Sequence, residues 1–252
     1  MKEKKLQITA VSYLNTLPFV YGIDYSGILK NFKLSLEVPS KCAENFKNGK
    51  ADIALIPVGA LLQLKNYKYI SDYCIGSKGN VKTVLLLSQI PLQEIKSIYL
   101  DEHSLTSVNL VRILAKHFWN INPVWIDSNK MMQGSMQDME SLVAIGNKTF
   151  QLEKKFKYVY DLSDEWLKFT GLPFTFACWV MRDDLSSEFI APFVNTLKWG
   201  LAHKKESIEK LFNPSEFPGI DIYSYLEKNI DFDFDIQKHK ALEIFIDYMK
   251  NR

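Results

Sequence analysis

The sequence predicts an α/β fold made of two lobes. Short apolar runs of strand length alternate with amphipathic stretches of helix length, and this alternation occurs in two successive blocks. Only helical patterns follow the second block. Strands that alternate with helices are typical of a largely parallel sheet covered by helices. The late helices indicate that the chain returns to cover the first sheet.

The first block begins with three predicted strands, at residues 6–11, 34–38 and 51–58. The stretch 40–48 is expected to form a helix that Gly49 ends. After a Lys-Gly-Asn turn, residues 81–88 are apolar on both faces. We expect this run to carry the chain into the second lobe.

The second block repeats the alternation. Its predicted strands span residues 97–101, 123–127, 142–145, 158–162 and 173–181, and its predicted helices span residues 107–119 and 164–170. The last predicted helices span residues 186–203, 206–212, 222–228 and 236–250. We therefore expect a first lobe of residues 1–85 plus 183–252 and a second lobe of residues 86–182. Strand crossovers near 84–90 and 178–184 are expected to form the hinge.

Two α/β lobes that are joined by two crossovers and closed by C-terminal helices form the architecture of a type II periplasmic-binding-protein-like fold. Folds of this type hold a small ligand in the cleft between the lobes. Helix N-termini and loop amides point at the ligand, which favours an anion. The sequence therefore predicts a small-anion site between the lobes.

The composition argues against several classes of partner. Lys plus Arg number 31 and Asp plus Glu number 29, so the formal net charge of the 252 residues is only +2. A chain with this balance has no basic field to hold a nucleic acid or an anionic membrane. No window approaches the length of an apolar membrane span, and the N-terminus lacks the pattern of a secretion signal. We therefore expect a cytoplasmic protein that binds neither nucleic acid nor membrane.

The sequence also gives no sign of a metal or a cofactor. The three cysteines are far apart and lack CxxC spacing, and the chain has no Walker loop, GxSxG elbow or GxGxxG turn. The only arginines are Arg112, Arg182 and Arg252. An anion site is therefore expected to rely on hydroxyls, amides and backbone N–H groups rather than on a guanidinium clamp.

Polar side chains follow the first predicted strand. In the segment VSYLNTLP, Ser12, Asn15 and Thr16 come at the carboxyl end of that strand, where side chains of α/β folds project into a crevice. Serine, asparagine and threonine are also the usual helix caps. The alternative is that these residues only cap the next helix.

A glycine-rich segment follows at residues 74–83 and contains Ser77 and Thr83. Its glycines allow the backbone to come close to a ligand, and Thr83 stands at the start of the crossover strand. A plain turn is the alternative interpretation of this segment.

Ser104, Thr106 and Ser107 lie where a helix begins, and the unsatisfied N–H groups of a first turn attract a carboxylate. Capping alone accounts for one of the three hydroxyls. His103, the residue before them, is a candidate base, although a histidine beside a loop is more often a surface residue.

Two more segments complete the candidate site. A buried strand ends in Gly146 and Asn147, and Phe174 lies in the aromatic stretch 170–179. The aromatic residues of that stretch alternate, which indicates that most of them belong to the core.

Together these segments resemble the chorismate dehydratase family. The resemblance covers about residues 6–182, and it rests on VSYLNTLPF, DIALIPVGAL, IGSKGNVKTVLLLS, TSVNLVRIL, AIGN and YDLSDEWLKFTGLPFTFACWV. The YLNT and TGLPF elements are its specific parts. Members of this family have a type II binding-protein-like fold. They convert chorismate to 3-[(1-carboxyvinyl)oxy]benzoate and water in the futalosine route to menaquinone, without metal or cofactor.

The resemblance implies chorismate as the substrate and roles for individual residues. We expect the chain to be a monomer or a homodimer. Asn15 matches the catalytic asparagine, and Thr83 best matches the catalytic hydroxyl, although many relatives have serine there and Ser77 is a competitor. Asn147 stands where an aspartate is usual, and Asn80 where a proline is favoured. The substrate-binding residues are expected to be Ser12, Thr16, Ser77, Ser104, Thr106, Ser107, Gly146, Asn147 and Phe174.

The base that removes the C3 proton of chorismate stays open at this point. It is either the enolpyruvyl carboxylate of the substrate or His103. Two other functions also stay open: a non-catalytic protein that binds a small anion, and 1,4-dihydroxy-6-naphthoate synthase of the same pathway, which shares the fold but not the YLNT start.

Overall fold

The computed structural model describes residues 5–101, 104–127 and 139–251. Within these ranges the strands form one six-stranded and one five-stranded sheet, and helices pack around both. We call the elements built on the six-stranded sheet the first lobe and those built on the five-stranded sheet the second lobe. No helix in the described ranges is long and apolar enough to cross a membrane.

The strands are β1 (Leu6–Val11), β2 (Phe32–Glu37), β3 (Ile53–Pro57), β4 (Tyr67–Ser77), β5 (Val84–Ser88), β6 (Ser97–Leu100), β7 (Val124–Asp127), β8 (Ser141–Ile145), β9 (Tyr158–Asp161), β10 (Phe174–Arg182) and β11 (Asp231–Asp233). The α-helices are α1 (Leu17–Tyr25), α2 (Pro39–Lys47), α3 (Leu105–Leu114), α4 (Thr149–Leu152), α5 (Leu162–Thr170), α6 (Ile190–Ala202), α7 (Lys204–Leu211), α8 (Ile222–Lys228) and α9 (Ile236–Lys250).

The first sheet has the strand order β11-β4-β10-β3-β1-β2. Strand β1 is parallel to β2 and β3, whereas β10 is antiparallel to β3 and β4. All five residues of β3 are buried because helices or turns cover both faces of the sheet centre. The parallel pairing brings the carboxyl ends of β1 and β3 to the same edge of the sheet.

The second sheet has the strand order β7-β6-β8-β5-β9. Strand β6 is parallel to β7 and β8, and β5 is antiparallel to β8 and β9. In the β5–β8 pair, Val84 lies opposite Ile145. The start of β5 and the end of β8 therefore lie side by side.

The strand predicted at residues 173–181 lies in the first sheet and not in the second lobe, where the sequence analysis placed it. It forms β10, whose first eight residues are buried between β3 and β4. A strand that is buried on both faces has no polar alternation that would indicate which sheet it joins. The chain also enters the second sheet earlier than expected, at Val84.

The connections between the sheets differ accordingly from the predicted crossovers near 84–90 and 178–184. The outward connection is the stretch 78–83, and the return runs through residues 162–173, which include α5. The sequence analysis also assigned no strand to residues 67–77. Strand β4 has an irregular burial pattern there, so the two-residue period that reveals a strand is missing.

The C-terminal helices pack mainly on the first lobe. Helix α6 packs against α1 and β4, and α9 packs against β10 and also contacts α3. Phe245 of α9 lies edge-on to Trp166 of α5, with ring centroids 6.0 Å apart. The last helix thus covers the seam between the lobes as well as the first sheet.

Candidate functional site

A cleft lies between the two sheets, where β1 and β3 end and where β5 and α3 begin. It holds about 530 Å³ of empty space, part of it open to solvent. The side facing the first sheet includes Tyr13, Asn15 and Phe176, and the side facing the second sheet includes Thr83, Ser104 and Gly146. A cleft between two lobes is a usual place for a small-molecule site.

The structure brings six of the predicted site residues together in this cleft. They are Asn15, Thr83, Ser104, Thr106, Ser107 and Gly146. The other five do not line it, and the contacts of each one give the physical reason. They are Ser12, Thr16, Ser77, Asn147 and Phe174.

Three of these five are either exposed or hydrogen-bonded to other groups of the protein. Ser12 is exposed to solvent. The Thr16 hydroxyl donates to the carbonyl oxygens of Val11 and Tyr13, at 2.5 and 2.6 Å, and so ties the end of β1 to the following turn. The Ser77 hydroxyl donates to the Gly79 carbonyl oxygen at 2.5 Å, as the plain-turn interpretation implies.

Phe174 is a core residue. Its side chain is 1% exposed and its ring packs edge-on against those of Phe176, Trp166 and Phe245. Of this aromatic stretch, Phe176 and Ala177 reach the cleft. The expectation that Phe174 contacts the substrate therefore does not agree with its position.

Asn147 does not line the cleft, but its side chain bonds the opposite lobe. Its side-chain oxygen accepts a hydrogen bond from the Leu14 N–H at 3.1 Å. Leu14 begins the short turn Leu14–Thr16, which also carries Asn15. The amide of Asn147 thereby connects the end of β8 to the turn that positions Asn15, and an aspartate could accept the same bond.

Asn15 is nine-tenths buried, with 9% of its surface exposed. The turn that carries it closes when the Thr16 N–H donates to the Tyr13 carbonyl oxygen at 3.0 Å. Pro18 in the first turn of α1 then directs the chain into that helix. The side chain of Asn15 is held at the carboxyl end of β1, where the sequence predicts it.

Thr83 is held by a constrained connection between the sheets. Lys82 has a left-handed backbone conformation, at φ 67°, which is uncommon for residues other than glycine. Its N–H donates to Asp161 Oδ2 at 2.7 Å. Asp161 also caps α5, because its Oδ1 accepts from the N–H groups of Ser163 and Asp164. Burial raises the pKa of Asp161 to about 6, while the backbone donors act in the opposite direction.

Tyr225 of α8 completes this part of the site, and the sequence analysis did not find it. Its hydroxyl lies 3.1 Å from Thr83 Oγ1 and beside the Asn15 side chain. Burial raises the pKa of this hydroxyl well above its usual range, so the phenol stays neutral. The available signal was the inward face of α8, where Ile222 and Leu226 are also buried.

The hydroxyls at the start of α3 have different partners. Ser104 Oγ accepts from the Ser107 N–H at 3.1 Å and donates to Ser107 Oγ at 2.7 Å, which is a helix cap. Thr106 Oγ1 accepts from the Gly59 N–H at 3.0 Å and donates to the Phe176 carbonyl oxygen at 3.4 Å. Among the described residues, the hydroxyl protons of Ser104 and Thr106 each have an acceptor. The hydroxyl proton of Ser107 has none there.

Gly146 permits close approach of the two lobes. It has φ 71°, and a Cβ atom at this position would lie 2.7 Å from the Tyr13 ring. Burial, and next the charge of Asp101, raise the pKa of Tyr13 well above its usual range. Asp101 itself forms an ion pair with Lys148.

The polar side chains that line the cleft are uncharged. None of the described residues that line it carries a charge. In the described ranges, no group of three or more His, Cys, Asp or Glu side chains is arranged to hold a metal ion. His103, the candidate base, lies outside the described residues.

Several solved structures share this fold. Protein AF1704 from Archaeoglobus fulgidus has a TM-score of 0.76 at 16% identity, over 100% of this chain and 98% of that chain. The periplasmic aliphatic sulphonate binding protein SsuA from Escherichia coli has a TM-score of 0.62 at 14% identity, over 100% and 94%. The Candida albicans CA3427 gene product, with the generic periplasmic binding protein fold, has a TM-score of 0.63 at 12% identity, over 98% and 94%. These similarities confirm the predicted fold class.

The sequence profile of a family described as menaquinone biosynthesis matches residues 6–251. The match extends beyond residue 182, where the motifs quoted above end, and includes Tyr225 and the other C-terminal elements. It covers both sheets and every residue described in the cleft. The chain therefore belongs to the menaquinone biosynthesis family.

Proposed function

We propose that the protein is a chorismate dehydratase, which eliminates water from chorismate to give 3-[(1-carboxyvinyl)oxy]benzoate. One observation carries the proposal. Asn15 from the first lobe and Thr83 from the connection into the second lobe meet at one hydroxyl, that of Tyr225, beside a cleft lined by uncharged residues. These are the two residues to which the resemblance assigns catalysis, and the family's place in menaquinone biosynthesis agrees with this reaction.

The reaction requires few chemical groups from the protein. A proton leaves C3, hydroxide leaves C4, the new double bond completes an aromatic ring, and the proton and hydroxide form water. Negative charge that develops on the ring spreads to the ring carboxylate. The protein needs to orient the substrate and to donate hydrogen bonds to the departing hydroxyl and to the carboxylates.

The base is proposed to be the substrate's own enolpyruvyl carboxylate, held over the C3 proton. The described residues that line the cleft include no histidine and no carboxylate, and the half-buried Tyr13 has a raised pKa. Orientation of two reacting groups can lower a barrier by about 7–11 kcal/mol, so a strong protein base is not required. The alternative base is His103, and the His103→Ala variant decides between them. Abolished turnover with intact binding would identify the histidine as the base.

The carboxylates are proposed to bind through neutral donors. Ser104, Thr106 and Ser107 at the start of α3 line the cleft, and the positive end of the helix dipole favours an anion there. Asn15 and Thr83 are proposed to face the reacting carbons. No arginine or lysine is among the described residues that line the cleft.

The direct test is to mix the purified chain with chorismate and to follow the loss of its diene absorbance. Asn15→Ala should lower kcat by about 10²–10³-fold, because one donor to a developing charge contributes that much. The exposed Asn195→Ala on α6 is a matched control and should behave as the wild type. Thermal melting should show that both variants fold. A loss of folding in Asn15→Ala would instead assign Asn15 a structural role.

The same assay separates a dehydratase from both other functions. The binding-protein-like fold is also compatible with a non-catalytic binding protein. Such a protein would bind chorismate without consuming it. A 1,4-dihydroxy-6-naphthoate synthase would leave chorismate unchanged as well, and it would not bind the benzoate product. Titration calorimetry with chorismate and with the benzoate distinguishes these outcomes.

A further inference from the structure

Tyr225 joins the two side chains that carry the proposed chemistry. It lies on α8, far along the chain from both, and 3% of its surface is exposed. Its hydroxyl lies 3.1 Å from Thr83 Oγ1 and beside the side chain of Asn15. One hydroxyl therefore contacts a residue of the first lobe and a residue of the connection into the second lobe.

The hydrogen bonds of this hydroxyl have a direction. A phenol donates one proton and accepts through its oxygen. Burial keeps the phenol protonated, so its one proton needs an acceptor. Thr83 Oγ1 lies 3.1 Å away, and Tyr225 satisfies its proton by donating to it. The hydroxyl of Thr83 then accepts from Tyr225 and keeps its own proton.

The Thr83 proton has a poor acceptor within the protein. The Val81 carbonyl oxygen is 3.4 Å away, which is long for a hydrogen bond from a hydroxyl. Thr83 lines the cleft, so a better acceptor is a ligand oxygen. The network thus leaves Thr83 ready to donate into the cleft.

We propose that Tyr225 is a positioning residue whose hydroxyl orients the Asn15 amide and directs the Thr83 proton toward the leaving hydroxyl of the substrate. This inference rests on the proposed function and adds a residue to it. Tyr225 acts through Asn15 and Thr83. In the dehydration step Thr83 donates a hydrogen bond and keeps its proton, and the proton from C3 ends in the water that leaves.

The ring of Tyr225 and its hydroxyl have separate roles. The ring packs edge-on against Phe150, with centroids 5.2 Å apart and an angle of 88° between the rings. Phenylalanine at position 225 keeps this packing and removes only the hydroxyl. The Tyr225→Phe variant therefore tests the hydrogen bonds rather than the core.

The kinetic test compares Tyr225→Phe with the wild type on chorismate. We expect kcat to fall about tenfold to a hundredfold, while KM stays within about twofold, because small misplacement of reacting groups has effects of this size. Tyr160→Phe is a matched control. The Tyr160 hydroxyl accepts from the Leu92 N–H at 3.1 Å in the second lobe, so its loss should leave both constants unchanged. In a Thr83→Ala background, Tyr225→Phe should lower kcat by a smaller factor than in the wild type.

Crystal structures of the wild type and of Tyr225→Phe provide a readout that does not depend on turnover. We expect the side chain of Asn15 or of Thr83 to rotate in the variant. Unmoved side chains overturn the inference whatever the rate, and so does an unchanged kcat. If the wild type does not consume chorismate, the proposed function fails, and the crystal comparison alone decides whether Tyr225 positions its two partners.

Discussion

The hydroxyls at the start of α3 illustrate how neighbouring residues of one type come to differ in function. Thr106 holds the two lobes together through Gly59 and Phe176, whereas Ser107 keeps a proton for a ligand. The sequence shows three hydroxyls at a helix start, but it does not show which of them already have partners. That distinction depends on Gly59 and Phe176, which are remote in the sequence.

Ser107→Ala should weaken binding of chorismate or of a benzoate analogue by about tenfold to a hundredfold. A donor to a buried carboxylate contributes roughly 1.5–3 kcal/mol, and each 1.4 kcal/mol is about tenfold in affinity. Arg112→Gln should change the affinity little, because Arg112 lies over the Trp125 ring and does not line the cleft. Titration calorimetry measures both. The reverse ranking would show that an arginine is the main anchor and would rule out the helix-terminus account.

Asp161 should make stability depend on pH. Burial raises its pKa from 3.8 to about 6 in the folded chain, so the folded state binds the proton more tightly than the unfolded state. The resulting contribution to the free energy of unfolding is at most about 3 kcal/mol. It is present below about pH 4 and is lost as the pH rises through about 6. Relative to Asp161→Asn, the wild type should therefore lose stability over this range, as urea unfolding at several pH values will measure.

The exposed cap of α8 is a suitable control for this experiment. Asp221 Oδ1 accepts from the Ser224 N–H, so Asp221→Asn alters a helix cap without a buried carboxylate. If the wild type instead gains stability over Asp161→Asn as the pH rises, the backbone donors to Asp161 outweigh its burial.

At the scale of elements, the contact between α1 and α6 depends on two glycines. A Cβ atom on Gly200 would lie 2.0 Å from the Pro18 carbonyl oxygen and 2.9 Å from the Gly22 nitrogen. The helices can be this close only because neither glycine has a side chain. The contact anchors the C-terminal helices to the helix that follows the Asn15 turn.

Gly200→Ala should therefore destabilise the fold by about 1–3 kcal/mol or more, because the backbone of one helix has to move. Lys198→Ala on the exposed face of the same helix is the control and should change stability by less than about 0.5 kcal/mol. Urea unfolding of the two variants measures the difference. Equal stability would mean that the two helices separate without a penalty.

Some helices and strands could be predicted from the sequence, and others could not. The positions of α8 and α9 and the parallel strands of the first block follow from apolar periodicity and from turn residues. The sheet membership of β10 did not follow, because a strand buried on both faces has no alternation. Nor was Tyr225 found, since α8 has no motif and its relation to Thr83 arises only when the chain folds back.

At the scale of the whole molecule, contacts across the cleft hold the lobes together. The Leu14 N–H donates to Asn147, the Gly59 N–H donates to Thr106, and the Tyr13 ring packs on Gly146. We expect the lobes to separate for a substrate to enter and to close over it, which would exclude water from the reacting groups.

The fold class, the cleft and six of its lining residues could be predicted from strand ends and helix starts. The predicted residues outside the cleft were Ser12, Thr16, Ser77, Asn147 and Phe174. Four of these are polar and stand next to a strand end, so local sequence does not distinguish them from ligand-binding residues. Their partners, such as Leu14 for Asn147, are set by tertiary structure.

The measurement that tests the central claim most directly is mass spectrometry of the product that the wild-type chain forms from chorismate, with Thr83→Ala as the matched control. The account predicts a product lighter than chorismate by one water molecule, with the spectrum of the aromatic benzoate, and a rate that falls in the control. Chorismate that is bound and recovered unchanged from the wild-type protein would contradict the account.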